Sequence, residues 1–321
     1  MRTHIQMCFR LSIIAAFGVM ISTAPAAAAA THEQAAKLME VSGDGESIIK
    51  GQARIQATVS KMIAVRVGAS DPTASAKVAA VVSETLSPVP PKVIAATVAA
   101  YAANFSNREI DDVLAFMDGP GGRAEKTNLP LLRAALAAAL IGQVDPSSAP
   151  EAIDRALAAA PALRRQLIAR VFKAQDLEGQ TRKDYMALLG GARAVVTAID
   201  TAHTLPPARD DPATLAHAAD DYVRMVMGVE KRFYLDHFSD AELVAMADYL
   251  ESEAGRAMLT GAPLVKRAVG QVMRDQVVAA LASLNTSVCS AVACSPQQRK
   301  ELADLISAAG AGVTASAGLL P

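Results

Sequence analysis

The chain states one passage twice, and that duplication constrains its fold more than any other feature. Phe105-Ser106-Asn107-Arg108-Glu109-Ile110 is echoed by Phe238-Ser239-Asp240-Ala241-Glu242-Leu243, an offset of 133 residues (238 − 105). The match stays in register, without gaps, from Phe105–Ala135 to Phe238–Ala268, and Gly122, Arg123, Ala124, Thr127, Pro130, Leu131 and Ala135 all recur. An internal repeat of this kind means two copies of one structural unit.

Each copy reads as the start of a helix. Ser106 and Ser239 are N-caps whose hydroxyls accept from amides of the first turn. Glu109 and Glu242, three residues on, close a capping box by reaching back to the cap's own amide. Phe105 and Phe238 precede the caps and are expected to pack near Ile110 and Leu243 as hydrophobic staples. The helix then runs to a short break at Gly119-Pro120-Gly121-Gly122 or Ser252-Glu253-Ala254-Gly255. Pro120 suits a first helical position, and Ser252 a second N-cap. Gly122 and Gly255 then fall inside the outgoing helix, where Gly costs up to ~1 kcal/mol relative to Ala. Their recurrence points to a close approach at the corner. Arg123 and Arg256 follow, available to pair with Asp118 and Glu251, and Pro130 and Pro263 mark a bend further out. The expected unit is a capped αα-hairpin.

These residues resemble a bacterial envelope family, domain-of-unknown-function family 2059. The shared pattern is Phe-Ser-x-x-Glu-Ile/Leu, an aromatic seven residues after the Glu, a small-residue turn with Gly, and a Pro-Leu exit. Family members typically show Phe-Tyr-x-Ser-Pro-x-Gly at the turn. The first copy keeps the Pro (Pro120) and lacks the Ser; the second keeps the Ser (Ser252) and lacks the Pro. Each copy has one aromatic, Phe116 or Tyr249, where two are usual. The resemblance implies an exported, helical, non-enzymatic module.

Residues 1–30 read as a secretory signal: Arg2 and Arg10, the apolar stretch Leu11–Ile21, then Pro25 and the run Ala26–Ala30. That stretch is shorter than the ~20 residues a membrane-spanning helix needs, so cleavage near Ala30 and a periplasmic location are expected. Cys8 would leave with it. The loss takes Lys+Arg from 31 to 29 against 32 Asp+Glu, a net charge near −3. A near-neutral, slightly acidic chain argues against nucleic acid or anionic lipid as partner, because both demand clustered Lys and Arg. No later apolar run is long enough to cross a bilayer. Apolar content of 52% with 4% aromatics and no Trp describes a core of Ala, Leu, Val, Ile and Met, and Ala is the best helix former. The expected class is all-α: two tandem helical-bundle repeats, each built around a capped hairpin.

Other signals place the boundaries. Ser42-Gly43-Asp44-Gly45 interrupts a helical stretch; Asp71-Pro72 and Asp211-Pro212 are strong helix starts; Pro88, Pro90 and Pro91 break the chain before a helix at about Lys92–Asn104. The first copy therefore splits into two helices what the second runs as one. Asp145-Pro146-Ser147-Ser148 is the linker candidate. The expected division is 31–145 for the first repeat, 146–285 for the second, and 286–321 for a tail with a short helix (295–309). In that tail Cys289 and Cys294 are expected to form a disulfide in an oxidising compartment, with two free thiols as the alternative. Residues five apart on an unbroken helix lie too far apart to bridge, so the bond requires a break between them.

The chemistry-bearing residues favour structure over catalysis. Glu109 and Glu242 could be imagined as paired carboxylates, but a cell-wall glycosidase needs two acids in different environments, and two equivalent caps do not supply that. His217 and Asp221 share a helix face without a third metal ligand; His32, His203 and His237 stand apart. No Gly-x-Ser-x-Gly, phosphate-cradling loop or zinc-protease helix motif is present, so no catalytic residue, metal or cofactor is expected. Met225, Met227, Met246, Met258 and Met273 fill the second repeat, and methionine lines adaptable apolar grooves. The expected partners are accordingly envelope proteins or, in the alternative, an apolar ligand held between helices of the second repeat.

Overall fold

The computed structural model describes residues 29–69, 71–140, 149–186, 189 and 212–317. The protein is all-α. In chain order the helices are α1 (His32–Ser42), α2 (Asp44–Arg66), α3 (Pro72–Leu86), α4 (Val89–Asn104), α5 (Asn107–Asp118), α6 (Pro120–Leu140), α7 (Pro150–Ala159), α8 (Ala162–Ala174), α9 (177–186), α10 (Pro212–His237), α11 (Asp240–Glu251), α12 (Glu253–Val292) and α13 (Pro296–Ala317). Local signals set most of these limits. Gly43, at φ 75, separates α1 from α2, a left-handed conformation that Gly adopts without steric cost. Asp71 caps α3, accepting from the amides of Thr73 and Ala74 at 2.9 Å each, with Pro72 at the first helical position. Pro90 and Pro91 lie inside the first turn of α4 rather than before it, where the amides they lack would have had no helical acceptor.

The helices gather into two compact units: Met1–Ser42, Ala102–Leu188 and Ala208–Leu264 in one, Gly43–Tyr101, Leu189–Pro207 and Val265–Pro321 in the other. Neither is contiguous, so the expected boundary at residue 145 does not separate them, and residues 145–148 lie outside the described residues. Both hairpins, α5–α6 and α11 with the start of α12, belong to the first unit. The physical reason is burial. Leu243, Met246, Ala247 and Leu250 of α11 join Ala124 and Leu132 of α6 in one apolar core with Leu167, Ile168 and Val171 of α8 and Phe233 and Tyr234 of α10. Two small hairpins standing alone would leave these faces in water, at about 25 cal/mol per Å² of apolar surface. Helix α1 packs on α5, and its lead-in is tied there by the Ala30 amide to the Phe105 carbonyl at 2.8 Å and the Thr31 amide to Asn107 Oδ1 at 2.8 Å.

In the second unit, α2 packs on α3, and α13 on α2. Gln298 of α13 donates to the Val67 carbonyl at 2.6 Å, so the C-terminal helix is anchored to the end of α2. Cys289 and Cys294 are disulfide-bonded, with their Cα atoms 4.8 Å apart. The helix is broken between them, as the spacing required: α12 stops at Val292 and Ala293 takes φ 53. The tail differs from expectation in extent. Cys289 sits on the last turn of the 40-residue α12, and α13 runs to Ala317 instead of stopping near 309. Its Ala-rich sequence has the intrinsic propensity to continue. Pro130 and Pro263 stand inside α6 and α12, which run on through them.

Candidate functional site: two capped corners and the cavity between them

The two hairpins have the same local construction. Each first helix is 12 residues long, each corner a single extended residue (Gly119 or Ser252), and each outgoing helix starts immediately after it. Both capping boxes are closed. The Ser106 amide donates to Glu109 Oε2 at 2.7 Å and the Glu109 amide to Ser106 Oγ at 3.2 Å. The Ser239 amide donates to Glu242 Oε2 at 2.7 Å and the Glu242 amide to Ser239 Oγ at 3.3 Å. Each carboxylate therefore serves its own helix start. Phe105 and Ile110, like Phe238 and Leu243, are buried.

The glycines are explained by backbone contact. A Cβ on Gly122 would lie 2.4 Å from the Phe116 carbonyl oxygen and from Met117 Cα; one on Gly255 would lie 2.0 Å from the Tyr249 carbonyl oxygen. The close approach is of each outgoing helix to the last turn of its own partner. Arg123 donates to the Asp118 main-chain carbonyl, not its carboxylate, and Arg123 and Arg256 are both exposed. Glu251 is engaged instead by Arg170 of α8, at 2.6 and 3.0 Å, and the same guanidinium reaches Asp248 at 2.9 Å. These bonds hold the Glu251 carboxyl below its ordinary range. Arg164, two turns earlier on α8, donates to Asp240 Oδ1 at 2.6 Å and to the carbonyls of Leu235, at 2.7 Å, and Phe238. It thus satisfies the end of α10 and the start of α11 together. No sequence pattern marks either arginine, because their partners lie more than 70 residues away.

Equivalent positions of the hairpins meet one another. Phe116 and Tyr249, related by the 133-residue offset, stack at 3.9 Å with their planes 7° apart. The Phe105 ring sits where a Cβ on Gly261 would be, 2.5 Å from its Cζ, and Asn128, the counterpart of Gly261, donates to the His237 carbonyl at 2.9 Å.

Between the hairpins lies a cavity of about 120 Å³. Four pairs of its lining residues carry the same offset: Val113 and Met246, Phe116 and Tyr249, Met117 and Leu250, Glu125 and Met258. Leu38 and Ser42 of α1 and Gln175 complete one side; Gln175 is presented by the turn after α8, where Asp176 takes φ 44. The methionine expectation holds in part: Met246 and Met258 line this cavity, joined by Met117 of the first hairpin. The space is therefore shared by both hairpins and not enclosed by the second alone. Met227 packs against the core, and Met273 belongs to the other unit. A more open groove between α2 and α3 is lined by small residues such as Ala53, Ala57 and Ser60, with no buried charged group in its wall.

Burial raises the pKa of Glu125, and no Lys, Arg or His lines the cavity. Its side chain is part-buried and lines the cavity. A second buried acid, Glu230 of α10, is pushed up to about 8 by desolvation. Burial likewise raises Tyr234, with Glu125 and Glu230 adding to it, and Tyr249, with Glu125 and Asp112 adding to it. The sequence held a signal for each acid. Glu125 stands where the other copy has Met258, and Glu230 falls on the helical stripe Val223, Val226, Phe233. The metal pair imagined from sequence is a surface contact: His217 Nε2 is 3.5 Å from Asp221 Oδ2, and Asp221 also takes Arg224 at 2.9 Å. His203 lies outside the described residues. Among the described residues no three His, Cys, Asp or Glu side chains gather as a metal site, and no helix is long and apolar enough to cross a membrane.

These elements define an all-helical protein whose two capped hairpins pair around one small, acid-bearing cavity. Residues 231–283, which hold the second hairpin, match the family described as "Uncharacterized protein conserved in bacteria (DUF2059)". No curated protein and no solved structure matches the chain.

Proposed function

We propose that this chain is an exported, non-catalytic helical module of the bacterial envelope, working through protein contacts, and that its hairpins are tandem copies of one ancestral unit. The observation that carries the reading is the closure of both capping boxes. Glu109 and Glu242, the acids of the shared pattern, are each committed to a serine and a helix start, so this pair does not serve as the two carboxylates of acid–base work. The Arg2-to-Ala30 pattern supports export, and the family match of the second hairpin supports a bacterial origin. The test is native mass spectrometry of the protein purified from the periplasm of its host. The expected result is a chain lacking about 30 residues in a stoichiometric protein complex. An intact N-terminus in the cytoplasmic fraction would refute export. A turnover abolished by Glu109→Gln at unchanged melting temperature would refute the non-catalytic reading.

One observation favours a second reading, a carrier or sensor of a small apolar ligand. The cavity is lined by three methionines, two stacked aromatics and a carboxyl with no basic neighbour, and such flexible thioether surfaces suit adaptable apolar binding.

A further inference from the structure

We propose that the cavity between the hairpins binds a small, uncharged, mostly apolar molecule bearing one hydrogen-bond acceptor, with Glu125 as the donor that orients it. This rests on the carrier reading and names the chemistry of its ligand. Among the described residues no hydrogen bond or ion pair reaches the Glu125 carboxyl, although it lines the same hollow as Met117, Met246, Met258 and the Phe116–Tyr249 stack. The carboxyl keeps accessible surface, and a bound acceptor would give it the hydrogen-bond partner that the described residues do not supply. The charge state follows from the surroundings. Tyr249 of α11 shares the lining with Glu125; burial raises Tyr249 and Tyr234 of α10, with Glu125 adding to both, Glu230 of α10 to Tyr234 and Asp112 of α5 to Tyr249. No Lys, Arg or His lines the cavity, and burial shifts the carboxyl toward its protonated form, the form that can donate. Its counterpart Met258 shows that hairpin packing at this position needs no carboxyl. The size sets the ligand: an apolar cavity of about 150 Å³ takes benzene, so about 120 Å³ suits a ring of five or six heavy atoms.

Three probes of nearly equal size separate the alternatives: cyclopentanone, cyclopentane and cyclopentylammonium. Binding is read from the methyl resonances of Met117, Met246 and Met258 in the full chain labelled at methionine. Cyclopentanone is expected to shift all three saturably and to bind roughly tenfold more tightly than cyclopentane, the value of one net hydrogen bond. That preference should fade as pH rises and the carboxyl ionises. Glu125→Gln keeps a donor and should retain the preference while losing its pH dependence; Glu125→Met, the residue of the other copy, should bring the two affinities together. Tighter binding of cyclopentylammonium, lost in Glu125→Gln, would overturn the neutral-donor assignment in favour of a cation site. A small molecule co-purifying with the protein, without any response to the three probes, would overturn this ligand class and leave the carrier reading standing. Silence of the methionines with an empty native cavity would overturn both.

Discussion

Replacing Glu230 by Gln should stabilise the protein, and increasingly so as pH rises. Glu230 is only 6% exposed, on α10 near Val226, Val229, Phe233 and Tyr234, which are equally buried. Desolvation lifts its pKa from the ordinary 4.5 to about 8. Between these values the unfolded chain has released a proton that the folded chain keeps, so stability falls as pH increases. Linkage sets the penalty at about 1 kcal/mol near pH 5, about 3 kcal/mol near pH 7, and close to 5 kcal/mol well above pH 8. A buried amide is uncharged at every pH, as the protonated acid is, so Glu230→Gln should match the wild type well below pH 4.5 and exceed it by about 1 kcal/mol near pH 5. It should exceed the wild type by about 3 kcal/mol near neutrality. Urea denaturation at a series of pH values between about 5 and 8.5, with the slope m compared in each pair, measures the difference directly. Glu125 shifts in the same direction, so some pH dependence should survive in Glu230→Gln and diminish further in the double variant with Glu125→Gln. Parallel stability curves for wild type and Glu230→Gln would refute the argument, because a carboxyl that ionises freely in the folded state carries no such penalty.

Three further outcomes follow from the corners and their clamps. Gly255→Ala should destabilise by about 3 kcal/mol, since its Cβ meets a fixed carbonyl oxygen at 2.0 Å. Gly51→Ala, in α2 with open space around it, should instead gain up to ~1 kcal/mol; thermal melts compare the two. Ser239→Ala removes the cap of α11 and should cost about 1 kcal/mol, and an unchanged melt would show the cap to be idle. Arg170→Ala should lower the melting temperature by freeing α8 from Asp248 and Glu251. Because Glu251 is held below its ordinary pKa of 4.5, that contribution is present above about pH 4.5 and lost as pH falls further. It should also shrink as salt is raised; a difference between wild type and variant that ignores both acid and salt would disprove an electrostatic clamp.

Much of the hairpin was legible because its determinants are local. A cap, its Glu three residues on, and a glycine at a corner act over one or two turns, so Ser106, Glu109, Gly122 and their partners Ser239, Glu242 and Gly255 carry their structure in their spacing. The break between Cys289 and Cys294 was legible for the same reason, since a helix of fixed rise cannot bring those sulfurs together. The cavity was only half visible. Methionines announced adaptable apolar surface, but their neighbours Phe116, Met117 and Glu125 came from the other hairpin.

What the sequence determined alone is everything governed by backbone geometry and nearest neighbours: an all-helical chain, two matching corners, and where most helices start. What only the tertiary structure decided is how those corners are used. Each hairpin exposes an apolar face that it cannot bury by itself, and the other hairpin covers it together with α8 and α10. That packing set Phe116 on Tyr249, brought Arg164 and Arg170 of α8 to acids far along the chain, and placed Glu125 in a hollow whose lining holds no base. Packing of distant faces is a property of shapes in three dimensions, and no spacing along a single chain encodes it.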